Sequence, residues 1–143
     1  MATGVPSQTE STGEIRIANK ISEIARVADL VDRFGARHKF SNEVMVALNV
    51  SLDEILNNII SYGYDDTAHH DILVRLTLCG GNVEVVVEDD GRPFDPRLAP
   101  APRSSAKPRT EGGVGLHFVR SLTDGHEYAS RDGINRLRLT KKL

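Results

Sequence analysis

The sequence has 143 residues, of which 39% are apolar and 27% charged, and its formal net charge is −2. This length fits one domain with a single core, and the absence of a basic excess argues against direct nucleic-acid binding. No apolar stretch approaches the roughly 20 residues of a membrane span, and residues 1–13 predict a disordered leader without a secretory signal. We therefore expect a cytoplasmic domain over residues 14–143. Cys79, the single cysteine, lies in an apolar run that predicts burial.

The first half of the chain predicts one strand and two helices. Residues 14–18 alternate charged and apolar side chains, which is typical of a half-exposed strand. Residues 20–37 carry apolar side chains at helical spacing, and we expect Gly35 to end this helix. Ser41 stands at the N-cap position of a second helix, which runs to about Tyr62 and ends at Gly63. Its apolar stripe comprises Leu48, Leu52, Ile55, Leu56 and Ile59, and a polar stripe away from it comprises Ser51, Glu54, Asn57, Asn58 and Ser61.

The second half predicts four strands, a long irregular segment and a short helix. Residues 72–78 and 83–87 form a hairpin around Gly80-Gly81-Asn82, and its second strand is expected to be buried on both faces near its end. The segment after Asp89 is rich in Gly, Pro, Arg and Ser, which predicts a lid over a site at about residues 95–112. We expect a helix that begins after glycines over residues 113–122, followed by two strands, 127–130 and 134–143, joined around Asp132-Gly133. These elements complete an α+β, two-layer α/β sandwich.

The second helix carries an acid and an amide at a spacing that suits metal-assisted chemistry. Glu54 and Asn58 are four residues apart and share one helical face. The amide oxygen of Asn58 can coordinate Mg²⁺, which prefers oxygen ligands, and the carboxylate of Glu54 can orient or deprotonate an attacking hydroxyl. The alternative interpretation of this pair is the solvated polar face of an amphipathic helix.

Two further motifs have binding chemistry. Asp89 follows a β-branched strand and precedes Gly91, so its carboxylate can accept from a donor such as an adenine amino group; the alternative is a charged turn. The run Gly112-Gly113-Val114-Gly115-Leu116 opens a helix, where close backbone N–H groups favour phosphate. No Gly-Lys-Ser/Thr follows, so it is not a Walker loop, and a helix that begins after a flexible loop is its alternative interpretation.

In this order and spacing, the three motifs resemble those of the GHKL (histidine-kinase-like) ATPase family. They are most similar to its anti-sigma-factor serine/threonine kinases of the RsbW/SpoIIAB type, over about residues 14–143. The resemblance implies a Bergerat-type ATP-binding fold, in which a mixed, mostly antiparallel sheet is covered by helices on one face and a flexible ATP lid is present. It implies ATP and Mg²⁺ as cofactors.

The resemblance also assigns roles to particular residues. It implies that Glu54 is the catalytic base, that Asn58 holds Mg²⁺, and that Asp89 contacts the adenine while Gly91 shapes the pocket floor. The phosphate-binding residues it implies are Gly113, Gly115 and Leu116. Any of the basic residues of the lid could meet the γ-phosphate or remain solvated, and we include Arg109 in the predicted site; the set is Arg97, Arg103, Lys107 and Arg109. The family usually has His where Tyr62 stands, which concerns only the end of the helix.

The length selects among the branches of the family, because only one strand and one helix precede the Glu54 motif. The resemblance then implies a stand-alone protein that binds Mg-ATP, holds a sigma factor inactive and phosphorylates Ser or Thr of a STAS-domain anti-anti-sigma protein. It implies a homodimer, with no direct contact to nucleic acid or membrane. Two alternatives stay open: a non-catalytic ATP-gated module that sequesters a partner without phosphorylating it, and a protein of similar sequence that binds no nucleotide.

Overall fold

A computed structural model describes residues 11–93, Val119 and residues 122–143. Thr12 and Gly13 belong to the first strand rather than to the predicted leader, and residues 1–10 of that leader, the predicted lid and the glycine motif lie outside the described residues. The described elements, in chain order, are β1 (Thr12–Ala18), a 3₁₀ helix (Ile21–Glu23), α1 (Ile24–His38), α2 (Asn42–Tyr62), β2 (Asp71–Cys79), β3 (Asn82–Asp89), β4 (Gly125–Arg131) and β5 (Ile134–Lys142).

The described strands form one sheet in the order β1-β2-β3-β5-β4, and each neighbouring pair is antiparallel. The α+β class is therefore confirmed, while the parallel pair that a mixed sheet requires is absent from the strands described. The apolar alternation sets the register, since one row across β1, β2, β3 and β5 aligns Ile15, Val74, Val87 and Leu137. A one-residue slip of any strand would turn its apolar side chains away from the core.

Two tight turns connect the hairpins. Gly80 and Gly81 join β2 to β3 with φ of 51° and 53°, and Asp132 and Gly133 join β4 to β5 with φ of 55° and 82°. Positive φ at both central residues defines a type I′ turn, which matches the twist of the flanking strands. Both predicted turns are thus confirmed. Cys79 is exposed, contrary to expectation, because β2 has left the core where it enters its turn.

The core lies between one face of the sheet and the two helices. Four residues of the predicted apolar stripe of α2, Leu48, Leu52, Ile55 and Leu56, are at most 3% exposed, and Ile59 packs against the same cluster. Val86 is also buried at 4%, on the opposite face of β3 from Val85 and Val87, so the expectation of a strand buried on both faces is confirmed. Around Val86 that opposite face carries charged side chains, with the ion pairs Arg75–Glu14 at 2.9 Å and Arg138–Glu127 at 2.6 Å.

The helix α1 does not end at Gly35, contrary to prediction. Gly35 is buried within the helix, where an added Cβ would lie 2.1 Å from Sδ of Met45 on α2, so the glycine lets the two helices approach. The helix ends instead at Lys39, whose φ of 58° is left-handed. The Phe40 N–H donates to the Gly35 carbonyl over 2.9 Å, which is the hydrogen bond of a Schellman motif.

The helix α2 begins as predicted and is more buried than predicted. The hydroxyl of Ser41 accepts from the Val44 N–H at 3.2 Å, which is an N-cap bond. Ser51, expected on the polar stripe, is 1% exposed, because α2 packs against α1 as well as the sheet. By length and composition alone α2 is long and apolar enough to cross a membrane, so the expectation that no apolar stretch approaches the length of a span is wrong. Its burial against the sheet and α1 identifies it as the core helix of this fold.

Candidate functional site

The C-terminal end of α2 and the turn that follows β3 lie directly against each other. The Arg92 N–H donates to the Gly63 carbonyl over 2.6 Å, and the Arg92 guanidinium donates to the Tyr62 carbonyl. A cation at these last carbonyls is favourable, since they carry the negative end of the helix dipole. Asn58 lies one turn before Tyr62, about 6 Å along the helix axis. The structure therefore brings the Glu54 motif of α2 and the Asp89 motif to the same end of the molecule.

Glu54 and Asn58 form a hydrogen-bonded pair on α2. The Asn58 amide nitrogen donates to Oε2 of Glu54 at 2.9 Å and to the Glu54 carbonyl at 2.7 Å. Both side chains are half-buried. Within the described ranges no donor reaches the amide oxygen of Asn58, which leaves an oxygen ligand of the kind that Mg²⁺ prefers. The described residues contain no group of three His, Cys, Asp or Glu side chains that could hold a metal.

Asp89 is a buried carboxylate with one of its two oxygens fully engaged. It is 8% exposed, and its Oδ1 accepts from the Gly91 N–H at 2.8 Å and from the Asn135 amide at 2.9 Å. Burial raises the pKa of Asp89 above its usual value, although these two hydrogen bonds act in the opposite direction. No donor from the described residues reaches Oδ2. A free acceptor oxygen in a buried position suits a ligand donor such as an amino group.

Asn135 of β5 holds this arrangement together, and the sequence analysis missed it. Its amide nitrogen donates to Asp89 and, at 2.8 Å, to the Gly91 carbonyl, while its amide oxygen accepts from the Ser130 hydroxyl at 2.8 Å. Asn135 is 3% exposed. The available signal was its alternation along the strand, because it shares one face of β5 with the buried residues Leu137 and Leu139. A buried polar group at such a position needs partners.

A groove of about 390 Å³ opens between α1 and α2 on another side of Glu54. Its walls include Ile24 and Val27 of α1 and Val50 of α2, and Glu54 contributes a carboxylate. Asn58, Asp89 and Gly91 do not line it. Glu54 thus contacts two regions, the Asn58 side chain and this largely apolar groove.

The remaining residues of the predicted site lie outside the described residues. They are Gly113, Gly115 and Leu116 of the glycine motif and Arg109 of the lid. Of the helix predicted to follow the glycines, the structure describes Val119 and Leu122. Val119 is 2% exposed within the core, and its carbonyl accepts from the Thr123 N–H at 3.2 Å and the Thr123 hydroxyl at 2.9 Å.

Gly91 is expected to be intolerant of a side chain. A Cβ there would lie 2.7 Å from the Gly63 carbonyl oxygen and 3.1 Å from Cε1 of Tyr64, and the carbonyl cannot move without disturbing the end of α2. We expect Gly91→Ala to lower the free energy of unfolding by about 1–3 kcal/mol, as overpacking does. Denaturant unfolding without any ligand measures this.

Gly125→Ala is the matched control for that substitution. A Cβ at Gly125 would make an ordinary contact, 3.6 Å from Cβ of Thr140, so we expect stability close to that of the wild type. Equal stability of the two variants would show that the turn after β3 does not need its close approach to α2.

Comparisons with known proteins identify the family of this chain. The family model described as a histidine kinase-like ATPase domain matches residues 17–141. The serine/threonine-protein kinase BtrW of Bordetella bronchiseptica is 36% identical over 115 residues, which cover 78% of this chain and 75% of BtrW. The serine-protein kinase RsbW of Bacillus subtilis is 24% identical over 145 aligned positions, which cover 97% of this chain and 82% of RsbW.

A solved structure supports the fold. The crystal structure of the RsbU and RsbW domains of a Mycobacterium tuberculosis protein superposes with a TM-score of 0.66 at 19% identity, over 92% of this chain. The chain spans 32% of that longer protein. The predicted ATP-binding family and its serine/threonine kinase branch are thereby confirmed. With a family match over most of its length and a relative at 36% identity, this chain belongs to the histidine kinase-like ATPase family, among relatives that are protein serine/threonine kinases.

Proposed function

We propose that this protein binds Mg-ATP, holds a sigma factor inactive, and phosphorylates a Ser or Thr of a STAS-domain anti-anti-sigma partner. Its relatives BtrW and RsbW are named as serine/threonine or serine protein kinases, which supports the transfer of phosphate to a protein hydroxyl. We further propose that residues 12–143 act as one domain in the cytoplasm and that two copies form a homodimer. The edge position of β1 supports the last point, since an unpaired strand edge can pair with another chain.

The observation that carries the proposal is the hydrogen bond from the Asn58 amide to Glu54, 2.9 Å long. It fixes the Glu54 carboxylate next to the amide oxygen that suits Mg²⁺. A base and a metal ligand are thus held one turn apart on a buried helix, which is a rigid support for both. A purely structural polar face would not require an acidic group beside the groove between α1 and α2.

Each residue then has a defined task. Asp89 would accept from the adenine amino group through Oδ2, while Gly91 would let the nucleotide approach the turn. Asn58 would hold Mg²⁺, which supplies charge neutralisation at the phosphate oxygens. Glu54 would take the proton of the acceptor hydroxyl. The hydroxyl oxygen would bond to the γ-phosphorus while the bond from the γ-phosphorus to the β-phosphate oxygen breaks. Gly113, Gly115, Leu116 and Arg109 remain the predicted phosphate contacts.

The groove between α1 and α2 supports an approach route for the acceptor. Its lining includes Ile24 and Val50, and Val50 is 43% exposed, so the groove offers apolar surface to a partner. We infer that apolar side chains next to the phosphorylated Ser or Thr occupy this groove. The acceptor hydroxyl could then reach Glu54 from the side opposite to Asn58.

Incubation with γ-labelled ATP, Mg²⁺ and STAS-domain proteins of the source organism tests the proposal. We expect label on a Ser or Thr of one of them, and we expect titration calorimetry to detect ATP binding that requires Mg²⁺. Partner binding that depends on ATP without any label would favour the non-catalytic module instead. Absence of ATP binding would remove the proposed function altogether.

A further inference from the structure

His70 lies between two carboxylates that belong to different segments of the chain. Its Nε2 is 2.9 Å from Oδ1 of Asp66, in the loop between α2 and β2. Its Nδ1 is 3.1 Å and 3.2 Å from the two carboxylate oxygens of Asp90, directly after β3. From the sequence, His69 and His70 gave no sign of these contacts, because Asp90 is 20 residues away. The imidazole therefore connects two loops that only the fold brings together.

This geometry favours the protonated ring. A carboxylate only accepts hydrogen bonds, so both ring nitrogens must donate at once, and only the imidazolium has two N–H groups. The hydrogen bond to Asp66, followed by that to Asp90, raises the pKa of His70 above its usual value. The ring of Tyr64 stacks on the imidazole at 4.4 Å with an interplanar angle of 23°, an arrangement that also favours a cation.

The same contacts reach the turn that carries Asp89 and Gly91. Asp90 stands between these two residues, so its orientation and theirs are coupled through the backbone. Tyr64, which stacks on His70, lies next to Gly91, where an added Cβ would be 3.1 Å from Cε1 of Tyr64. His70 itself is fixed, because its N–H donates to the Asn19 side chain at 3.0 Å and its carbonyl accepts from the Asn19 N–H at 3.0 Å.

The charged surroundings of His70 are acidic. Asp66 faces it from the loop after α2, Asp90 from the end of β3, and Asp71 at the start of β2 is paired with His69 at 2.7 Å. Buried Asp89 adds a further carboxylate at the same end of the sheet. Arg92, an arginine in the same region, contacts Asp65 at 3.6 Å. Loss of the proton from His70 would therefore leave Asp66 and Asp90 without a cation between them.

We propose that His70 is a positioning residue for the nucleotide: its protonated ring holds Asp90, and with it the Asp89–Gly91 turn, in the form that binds the adenine. This inference rests on the proposed nucleotide binding. Deprotonation of His70 frees Asp90, adds a net negative charge near an anionic ligand and weakens binding. The contribution of His70 to ATP affinity is present where its ring is protonated in the folded protein. It is lost as pH rises through the raised pKa of His70.

The experiment measures ATP affinity in the presence of Mg²⁺ from pH 6 to pH 9 for the wild type and for His70→Gln. The ratio of the two affinities cancels the titration of ATP itself. We expect the wild type to bind about threefold more tightly at the low-pH end and the advantage to vanish at the high-pH end, as for one exposed charge pair. His69→Gln is the matched control, since His69 carries an equivalent ring with one carboxylate partner, and we expect it to follow the wild type at every pH.

Asp66→Asn gives a second, independent readout. Asp66 is the main cause of the raised pKa of His70, so its loss is expected to move the midpoint of the affinity profile to lower pH. Imidazole NMR signals, recorded without nucleotide, should show the same shift in the titration of His70. A purely structural role for His70 would alter stability or affinity equally at all pH values and would not produce a midpoint that follows Asp66.

The possible outcomes distinguish the positioning role of His70 from nucleotide binding itself. If ATP binds but the affinity ratio is flat with pH, or if Asp66→Asn leaves the midpoint unchanged, the role of His70 is wrong while nucleotide binding stands. If no ATP binds at any pH, nucleotide binding itself fails, and the positioning role falls with it. Should His70→Gln fail to fold, the midpoint comparison between the wild type and Asp66→Asn decides the question alone.

Discussion

Glu54→Gln is expected to lower phosphoryl transfer by at least about 100-fold, the usual contribution of a general base. ATP affinity should change much less, because the amide oxygen of the new side chain can still accept the hydrogen bond from Asn58. The substitution keeps the shape of the side chain on the groove wall and removes its charge and its basicity. Single-turnover transfer from γ-labelled ATP to the partner, with calorimetry on the same preparation, measures both quantities.

Asp53→Asn is the matched control for this prediction. Asp53 is the preceding residue on α2, is exposed, and lines the same groove, so the change alters the same amount of charge in the same region. We expect its transfer rate to stay near that of the wild type. A Glu54→Gln rate within threefold of the control would remove Glu54 from the role of base and would leave the ATP-gated binding module as the better interpretation.

The fold follows from sequence wherever local chemistry and tertiary packing agree. The pairs Gly80-Gly81 and Asp132-Gly133 predict tight hairpins because few other residues accept positive φ at both central positions of such a turn. Ser41 predicts the start of α2 because its hydroxyl satisfies a backbone N–H that has no partner within the helix. In each case the signal and its structural cause lie within a few residues of each other.

Prediction from sequence fails where a contact with a residue far along the chain determines the structural role of a side chain. Gly35 has the pattern of a helix end, yet it lies inside α1, where an added Cβ would meet the Met45 side chain of α2. Lys39, which has no sequence preference for left-handed backbone, ends the helix instead. Ser51 is predicted on the polar stripe of α2, yet it is 1% exposed, because this helix packs against α1 as well as against the sheet.

In the candidate site, too, contacts between residues close in sequence are predictable and contacts between distant residues are not. The Glu54–Asn58 pair is predictable, because both residues lie on one helix and four residues always place them one turn apart. The partners of Asp89 and His70 are not, because Asn135 lies 46 residues from Asp89 and Asp90 lies 20 residues from His70. Only the pairing of β3 with β5 in a fixed register sets Asn135 opposite Asp89.

Asp89→Asn is expected to abolish most nucleotide binding without loss of stability. The new amide can keep its oxygen toward Gly91 and Asn135, which donate to Oδ1 of Asp89 at 2.8 Å and 2.9 Å. Its NH₂ group must then occupy the position of Oδ2, where a donor would face the amino group of adenine. The new amide and the adenine amino group would then be two buried donors that face each other without an acceptor. We expect this to weaken ATP binding by about 30- to 100-fold.

Stability should move in the opposite direction from affinity. Burial raises the pKa of Asp89, so the folded protein binds the proton of this carboxyl more tightly than the unfolded chain does. Its favourable contribution is present at low pH and is lost as pH rises through the raised value, which means that ionised Asp89 is a cost at neutral pH. A neutral isostere removes this cost, and we expect a melting temperature at neutral pH no lower than that of the wild type.

Glu88→Gln provides the control, because Glu88 is the neighbouring carboxylate on β3 and faces the opposite side of the sheet, where it pairs with Arg136 at 3.5 Å. We expect wild-type ATP affinity for this variant. A fall in both melting temperature and ATP affinity on Asp89→Asn would mean that Asp89 is a structural carboxylate whose hydrogen bonds to Gly91 and Asn135 require its charge. If Asp89→Asn instead loses ATP affinity at unchanged stability, while Glu54→Gln keeps its ATP affinity, then Asp89 recognises the nucleotide and Glu54 acts in phosphoryl transfer.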